Sequence, residues 1–295
     1  MATSVIFDDS EDILDIRLDS VFKAVFTKST PNSKTALSRL VSDITDRKME
    51  VLTLTANEPA VENVRDRQMR FDINCIAEDG ELVNVEMSLN PRKFEPVRLE
   101  YHAAKLFAGQ GIRGSDKTYE DLKPAYQIAI LAKEEFFGDG DFFHAFQYHD
   151  PVRGVSLGGR TRIMTLELAK LGNVARKPIG EMSNREQWAM FFQYLTDPQM
   201  RGIINAILER KEGAVEVLLT ISRDEAERAR LRSEEKNLLD IQSDMVYERR
   251  EGRREGEKNN ALKNARNALA EGLSFEQVHR ITGLDIQTIR TLQSS

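Results

Sequence analysis

Two carboxylates near the ends of one short stretch of the chain could together hold a metal ion. The stretch FDINCIAEDGELVNVEMS, residues 71–88, alternates apolar and polar side chains on both sides of an Asp-Gly pair, a pattern typical of a β-hairpin. Asp72 stands near its start and Glu86 near its end. Whether the two side chains meet depends on how the turn between the strands is closed.

Two closures of this turn are compatible with the sequence. A two-residue turn at Asp79 and Gly80 would place Asp72 and Glu86 on opposite faces of the sheet. A three-residue loop that starts at Glu78 and has Gly80 in the left-handed conformation would instead pair residue 72 with 86 and residue 74 with 84. One face would then be wholly apolar, with Phe71, Ile73, Cys75, Ala77, Val83, Val85 and Met87. Because burial of an apolar face fixes the register, we predict the second closure.

In the predicted register Asp72 and Glu86 are direct cross-strand neighbours, with Cβ atoms roughly 4.5 to 5.5 Å apart. Two carboxylates at this separation repel each other unless a cation or a proton lies between them. Mg²⁺ is usually held by one or two carboxylates, with water and substrate phosphates as further ligands, and it activates water for phosphodiester hydrolysis. The same pair also fits a solvated sheet face that carries two acids without a function, so the spacing alone leaves both interpretations open.

The composition narrows the classes of function. The chain has 295 residues and a formal net charge of −6, which argues against a protein that binds polyanions over its whole surface, so any contact with nucleic acid must be local or metal-assisted. A single cysteine, Cys75, excludes an internal disulfide and a zinc knuckle. The sequence has no apolar run of membrane-spanning length and no signal-peptide pattern at its start, so we expect a cytoplasmic protein without a membrane partner.

Hydrophobic periodicity predicts the elements that position the acid pair. An amphipathic helix over RLDSVFKAVFT (17–27) and a second helix over KTALSRLVSDIT (34–45) precede a strand in MEVLTLTA (49–56) and the hairpin. A helix then follows within residues 91–110, and KPAYQIAILA (123–132) is a strand covered on both faces. The stretch TRIMTLELAKL (161–171) fits a further strand or a short helix. The order is thus helix, three strands, helix and strand.

From about Asn184 the pattern is helical. The stretch from Arg223 to Lys258 carries ten basic and eleven acidic residues, which predicts a solvated or partly disordered helix. The end of the chain predicts short helices broken at two glycines and capped by a serine and an aspartate, namely Gly272, Gly283, Ser274 and Asp285. These short helices could form a small helix-turn-helix-like unit.

Four stretches, taken in order, resemble the PD-(D/E)XK nuclease family transposases, also called the recombination-promoting nuclease family. They are LDSVFKAVF, the hairpin FDINCIAEDGELVNVEMS, FEPVRLEYHAAKLFAGQGIRG and TYEDLKPAYQIAIL. The resemblance covers roughly residues 15–140, with a looser match in the helical tail. It implies an α/β fold with a mixed sheet, a restriction-endonuclease-like αβββαβ core, an all-helical C-terminal region, and cleavage of DNA with Mg²⁺ or Mn²⁺.

The resemblance also implies roles for residues of the hairpin. Asp72 and Glu86 match the two strand acids of the family and would be metal ligands, and the backbone carbonyl of Met87 would add a third oxygen. Ser88 departs from the family pattern, which usually has Gln at this position, while the wider superfamily has Lys. A hydroxyl can hold a water molecule, but it supplies no positive charge.

Two helices carry further residues implied by the resemblance. Asp19 and Lys23 match the helical motif of the family and would lie near the metal, although they also fit an exposed ion pair at i and i+4. Arg98, Tyr101 and Lys105 lie at positions of the following helix that could contact substrate phosphates or could be ordinary surface residues.

The sequence therefore predicts a Mg²⁺-dependent DNA endonuclease, a hydrolase associated with transposition or recombination. The alternative is a catalytically degenerate nuclease-fold protein that acts as a DNA-binding or assembly module, and the helical C-terminal region could form a homo-oligomer. We expect four parts: a nuclease-like domain (1–180), a helical extension (181–222), a charged helical linker (223–258) and a small helical unit (259–295).

Overall fold

A mixed β-sheet forms the centre of the fold. The computed structural model describes residues 13–55, 72–111, 118–211 and 213–293. Six strands lie within these residues: β1 (Val51–Leu54), β2 (Ile73–Ala77), β3 (Leu82–Ser88), β4 (Ala125–Leu131), β5 (Phe143–Gln147) and β6 (Thr161–Glu167). Their order in the sheet is β1-β2-β3-β4-β6-β5, in which β3, β4 and β6 are parallel and the other neighbours are antiparallel. The α/β fold class with a mixed sheet is confirmed.

Helices precede, interrupt and follow this sheet. Those of the described residues are α1 (Asp19–Thr27), α2 (Pro31–Thr45), α3 (Glu95–Ala108), α4 (Asn184–Tyr194), α5 (Arg201–Leu208), α6 (Ala214–Arg223), α7 (Glu225–Ala270), α8 (Phe275–Thr282) and α9 (Ile286–Gln293). When α1 and α2 are counted together as the first helical segment, the order from α1 to β4 is the predicted one of helix, three strands, helix and strand. None of the helices in the described part of the chain is both long and apolar enough to cross a membrane.

The hairpin of β2 and β3 has the predicted register. Asn74 pairs with Asn84, and Ile76 pairs with Leu82. Gly80 has a φ of 77°, in the left-handed region, and closes the three-residue loop that the apolar pattern requires. Phe71, the first residue of the predicted apolar face, lies outside the described residues, whereas the other members of that face are buried.

The apolar face of the hairpin packs into the main core of the first unit of the chain. This core also contains Phe22 and Phe26 of α1, and Trp188 and Phe192 of α4, which are fully buried. The aromatic rings of Phe26 and Trp188 lie with centroids 6.2 Å apart. The helix α1 is amphipathic, as predicted, and its apolar side packs on the sheet and on α4.

On β3 the opposite face of the hairpin is covered by α3, so the interpretation of this face as solvated is wrong for Asn84 and Glu86, whereas Asp72 and Asn74 are half-buried. Leu99 of α3 packs with Ala129 and Leu131 of β4. Under this helix Asn84 and Gln127 are completely buried, and Glu86 is 2% exposed. Polar side chains that are buried in this way must find partners within the protein.

The structure settles one segment that the sequence left open and adds one strand that was not predicted. Residues 161–167 form the strand β6 rather than a helix, and a short 3₁₀ turn, Leu168–Lys170, follows. The edge strand β5 was not predicted; it pairs antiparallel with β6. Its last three residues are exposed, so it lacks the apolar pattern that reveals the inner strands.

The chain divides into two compact units, Met1–Arg232 and Ser233–Ser295. The charged stretch is helical, since α7 runs over 46 residues. In the second unit Gly272 and Gly283 have φ values of 83° and 72°, and the side chain of Ser274 accepts a hydrogen bond from the backbone N–H of Gln277. The predicted breaks and the predicted serine cap are therefore confirmed, whereas the four-part division of the chain stays a prediction.

Candidate metal centre

The two strand acids of the hairpin lie next to each other. Asp72 directly precedes β2, and its Oδ2 accepts a hydrogen bond of 3.2 Å from the backbone N–H of Met87 on β3. Glu86, the residue before Met87, carries a charge that acts on Asp72. The hairpin register thus places the two carboxylates as the sequence predicts.

The pKa of Asp72 is raised above its ordinary value. Burial raises the pKa of Asp72 from 3.8 to about 6, and the negative charges of Asp19 and Glu86 act in the same direction. The Lys23 ammonium and the Met87 N–H oppose this shift. The Asp72 carboxyl group is therefore held in a place where an additional positive charge would stabilise its ionised form.

Lys23 of α1 connects two acids at this site. Its Nζ lies 2.8 Å from Oδ1 of Asp19 and 3.3 Å from Oδ1 of Asp72. Burial acts to lower the pKa of Lys23, but Asp72 and Asp19 outweigh it and raise this pKa above its ordinary value. Asp19 and Lys23 thus form the i, i+4 pair seen in the sequence, and Lys23 also reaches the strand acid.

Glu86 is surrounded by donors from β3 and α3. Its Oε1 contacts Nδ1 of His102 and accepts a hydrogen bond of 2.9 Å from Nδ2 of Asn84. Its Oε2 lies 3.1 Å from Nη2 of Arg98. Burial acts to raise the pKa of Glu86, but His102, Arg98 and Asn84 outweigh it and hold this pKa below its ordinary value. Glu86 is therefore ionised at neutral pH.

The donors around Glu86 belong to a larger buried network. Nδ2 of Asn84 also donates to Oε1 of Gln127 on β4, at 2.8 Å, and Arg98 pairs with Glu95 at 2.5 Å. Sequence reasoning did not identify His102, Asn84 or Gln127 as part of this site. A signal was present for His102, which follows Arg98 by four residues and therefore lies on the same side of α3.

The remaining predicted residues have different surroundings. Tyr101 is 53% exposed, and the Lys105 ammonium lies 5.8 Å from the centre of its ring. Ser88 ends β3 and is half-buried, with its carbonyl accepting a hydrogen bond from the backbone N–H of Ala132. The phosphate contacts implied for Tyr101 and Lys105 stay predictions.

The donor set of the acid pair fits a hard divalent cation. Within the described residues no group of three or more His, Cys, Asp and Glu side chains is arranged to hold a metal. Oε2 of Glu86 is buried and meets Arg98 as an ion pair rather than as a hydrogen bond. Two neighbouring carboxylates form a set that suits Mg²⁺, whose other ligands are often water and phosphate.

Comparison with known proteins identifies a family to which most of the chain matches. A family model described as PD-(D/E)XK nuclease family transposase matches residues 16–248, which include the hairpin, α1 and α3. Neither the curated proteins nor the solved structures gave a match.

Proposed function

The chain belongs to the PD-(D/E)XK nuclease family transposases, and we propose that it is a Mg²⁺-dependent DNA endonuclease that hydrolyses phosphodiester bonds in transposition or recombination. The observation that carries this proposal is the pair of neighbouring carboxylates, Asp72 and Glu86, at the position where the family model matches. The repulsion between them raises the affinity of the site for a cation.

Asp72, Glu86 and the backbone carbonyl of Met87 would hold the metal, which would be Mg²⁺ or its substitute Mn²⁺. When bound, such a metal polarises the phosphoryl group and lowers the pKa of a water molecule. The protein keeps Glu86 ionised through His102 and Arg98. It orients Asp72 through the Met87 N–H. The two ligands are thereby held in place before a metal arrives, which lowers the cost of binding.

Positive charge at this site would come from helices, because Ser88 on β3 supplies none. Lys23 of α1 lies beside Asp72, and Arg98 of α3 lies beside Glu86. Each side chain is about one-third exposed, so each can contact a bound phosphate. We propose that Lys23 stabilises the charge that develops on the phosphoryl group. Arg98, with Tyr101 and Lys105 on the outer side of α3, would contact the neighbouring DNA backbone.

DNA is the partner in this proposal, and its contacts are local. The net charge of −6 gives no general attraction to polyanions, so DNA held at this site must be bound by the metal and by nearby cations. A cytoplasmic location and a homo-oligomer formed through the C-terminal helices belong to the same proposal.

Nicking of a supercoiled plasmid tests the proposed activity. We expect the wild-type protein to convert the plasmid to the nicked form with Mg²⁺ or Mn²⁺ and to be inactive with EDTA. Asp72→Asn and Glu86→Gln should abolish nicking, since each removes one ligand charge. The matched controls are Asp141→Asn and Glu134→Gln, which change exposed acids outside the site. Equal nicking by all four variants would show that the site is wrong.

A second candidate function is a DNA-binding or assembly module on a degenerate nuclease fold. The observation that favours it is Ser88, which replaces the charged or amide side chain usual at the end of this strand. Binding of DNA by the wild-type protein without cleavage in either Mg²⁺ or Mn²⁺ would support this second function over the first.

A further inference from the structure

The last part of the chain forms a small three-helix core of its own. The end of α7, α8 and α9 each contribute one fully buried residue, namely Ala265, Val278 and Ile289. Partly buried apolar side chains surround them: Ala268, Leu269, Leu273, Phe275, Leu284 and Leu292. This core lies beyond residue 248, where the family match ends. The family match therefore does not cover this core.

A short, well-defined turn joins α8 to α9. It consists of Gly283, Leu284 and Asp285, with Gly283 in the left-handed conformation at a φ of 72°. Nδ1 of His279 contacts the carbonyl of Leu284 at 2.7 Å. Oδ1 of Asp285 accepts a hydrogen bond of 2.8 Å from the backbone N–H of Thr288 and thereby caps α9. Two short helices joined by a three-residue turn that contains glycine have the connection typical of a helix-turn-helix.

The outer side of α9 carries side chains that can read bases. Ile289 points into the core, whereas Gln287, Arg290 and Thr291 are exposed. Gln and Arg recognise adenine and guanine through paired hydrogen bonds in the major groove, and Thr contacts either base edges or a thymine methyl group. The sequence of α9, IQTIRTLQ, contains no acidic residue that would repel DNA.

The small unit also carries charged side chains on its surface. Lys263, Arg266 and Arg280 are exposed cations, and Glu271 and Glu276 are exposed acids. Asp285, the acid closest to α9 in the sequence, is engaged by Thr288 at the start of that helix. Cations beside a recognition helix are the groups that contact DNA phosphates and set its position.

We propose that α8 and α9 form a helix-turn-helix that binds duplex DNA, with α9 in the major groove and Gln287 and Arg290 reading base edges. This function goes beyond hydrolysis, because it would direct the chain to particular sequences. It does not depend on a metal ion, so the two functions can fail separately.

Selection of DNA by the full chain in EDTA tests this inference, since no cleavage interferes. The probe is a library of random-sequence duplexes, followed by fluorescence anisotropy on one enriched duplex and one unrelated duplex. We expect enrichment of a common sequence. Gln287→Ala should weaken binding to the enriched duplex about tenfold and leave binding to the unrelated duplex unchanged. The matched control is Arg253→Ala, an exposed cation of α7, which should leave the preference for the enriched duplex unchanged.

Three results would overturn the inference. The first is that no common sequence is enriched. The second is that Gln287→Ala and Arg290→Ala, with thermal unfolding like that of wild type, bind the enriched duplex as the wild-type protein does. The third is that these variants change the oligomeric state in light scattering but not DNA binding, which would assign the face of α9 to a second copy of the chain. The selection is made in EDTA and reads binding alone, so a failure of nicking with Mg²⁺ leaves this test intact.

Discussion

The ammonium group of Lys23 lies 3.3 Å from Oδ1 of Asp72, and it lies 2.8 Å from Oδ1 of Asp19 on the same helix. A helix therefore brings a positive charge to the strand acid. In this chain the cation beside Asp72 comes from α1, while position 88 of β3 carries an uncharged serine. In the proposed mechanism Lys23 therefore has a role different from that of the metal ligands.

Lys23→Met should separate catalysis from metal binding. We expect the nicking rate to fall about tenfold or more, because the positive charge near the phosphoryl group is lost. The affinity for Mn²⁺ should not fall, since removal of a neighbouring cation lowers the repulsion that the metal meets. Nicking rates and Mn²⁺ titrations measure the two effects, with Lys34→Met on α2 as the control. An unchanged nicking rate would show that Lys23 only forms an ion pair with its neighbouring acids and has no part in catalysis.

Ser88→Gln should increase activity. The family resemblance implies Gln at this position, and its amide reaches further than a hydroxyl to orient a water molecule. We expect a rise in the initial nicking rate of about tenfold, which corresponds to about 1.4 kcal/mol of the barrier, from better orientation of the attacking water. Ser88→Ala, which removes the hydroxyl, is the control and should not show the rise. If Ser88→Gln is no faster than wild type, position 88 does not limit the reaction.

Asp72 makes stability depend on pH when no metal is bound. Its pKa is about 6 in the folded protein and ordinarily 3.8, so the folded state holds the proton more tightly than the unfolded state. The stabilisation is complete below pH 3.8 and is lost as the pH rises to about 6. Its size is roughly 2 to 3 kcal/mol.

Asp72→Asn removes this dependence. In EDTA the variant should gain stability relative to wild type as the pH rises through this range, and it should be the more stable protein above about pH 7. Urea unfolding at several pH values measures the difference. Asp141→Asn, an exposed acid, should show no such trend. A difference between Asp72→Asn and wild type that does not change with pH would contradict the raised pKa.

Asn84→Leu tests the buried network under α3. The substitution keeps the volume of the side chain but leaves Glu86 and Gln127 each without one donor. Because an unsatisfied buried polar group costs about 1 to 3 kcal/mol, we expect a loss of this order in the free energy of unfolding. Urea unfolding measures it, with the exposed Asn173→Leu as the control. Equal stability of the two variants would show that the network is dispensable.

The strand register could be predicted because it depends on a local pattern. Alternating apolar residues from Ile73 to Met87 leave only one closure that buries a whole face, and Gly80 supplies the backbone conformation which that closure needs. The neighbouring position of Asp72 and Glu86 then follows from pairing geometry alone. No tertiary information is required for this part of the site.

The surroundings of Glu86 could not be predicted in the same way. Which side of α3 faces the sheet is set by the packing of Leu99 on Ala129 and Leu131, and this packing turns His102 toward Glu86. Tyr101, a neighbour of His102 in the sequence, is exposed instead. The edge strand β5 was missed for a related reason, since its pairing with β6 rather than its own sequence makes it a strand.

Anomalous diffraction from crystals of the wild-type protein soaked in Mn²⁺ tests the central claim most directly. The account predicts one strong peak between the carboxylates of Asp72 and Glu86, at a distance from both oxygens and from the Met87 carbonyl that suits a hard cation. The peak should disappear in Asp72→Asn crystals soaked in the same way. Wild-type crystals with no peak there, and with the Lys23 ammonium still beside Asp72, would contradict it.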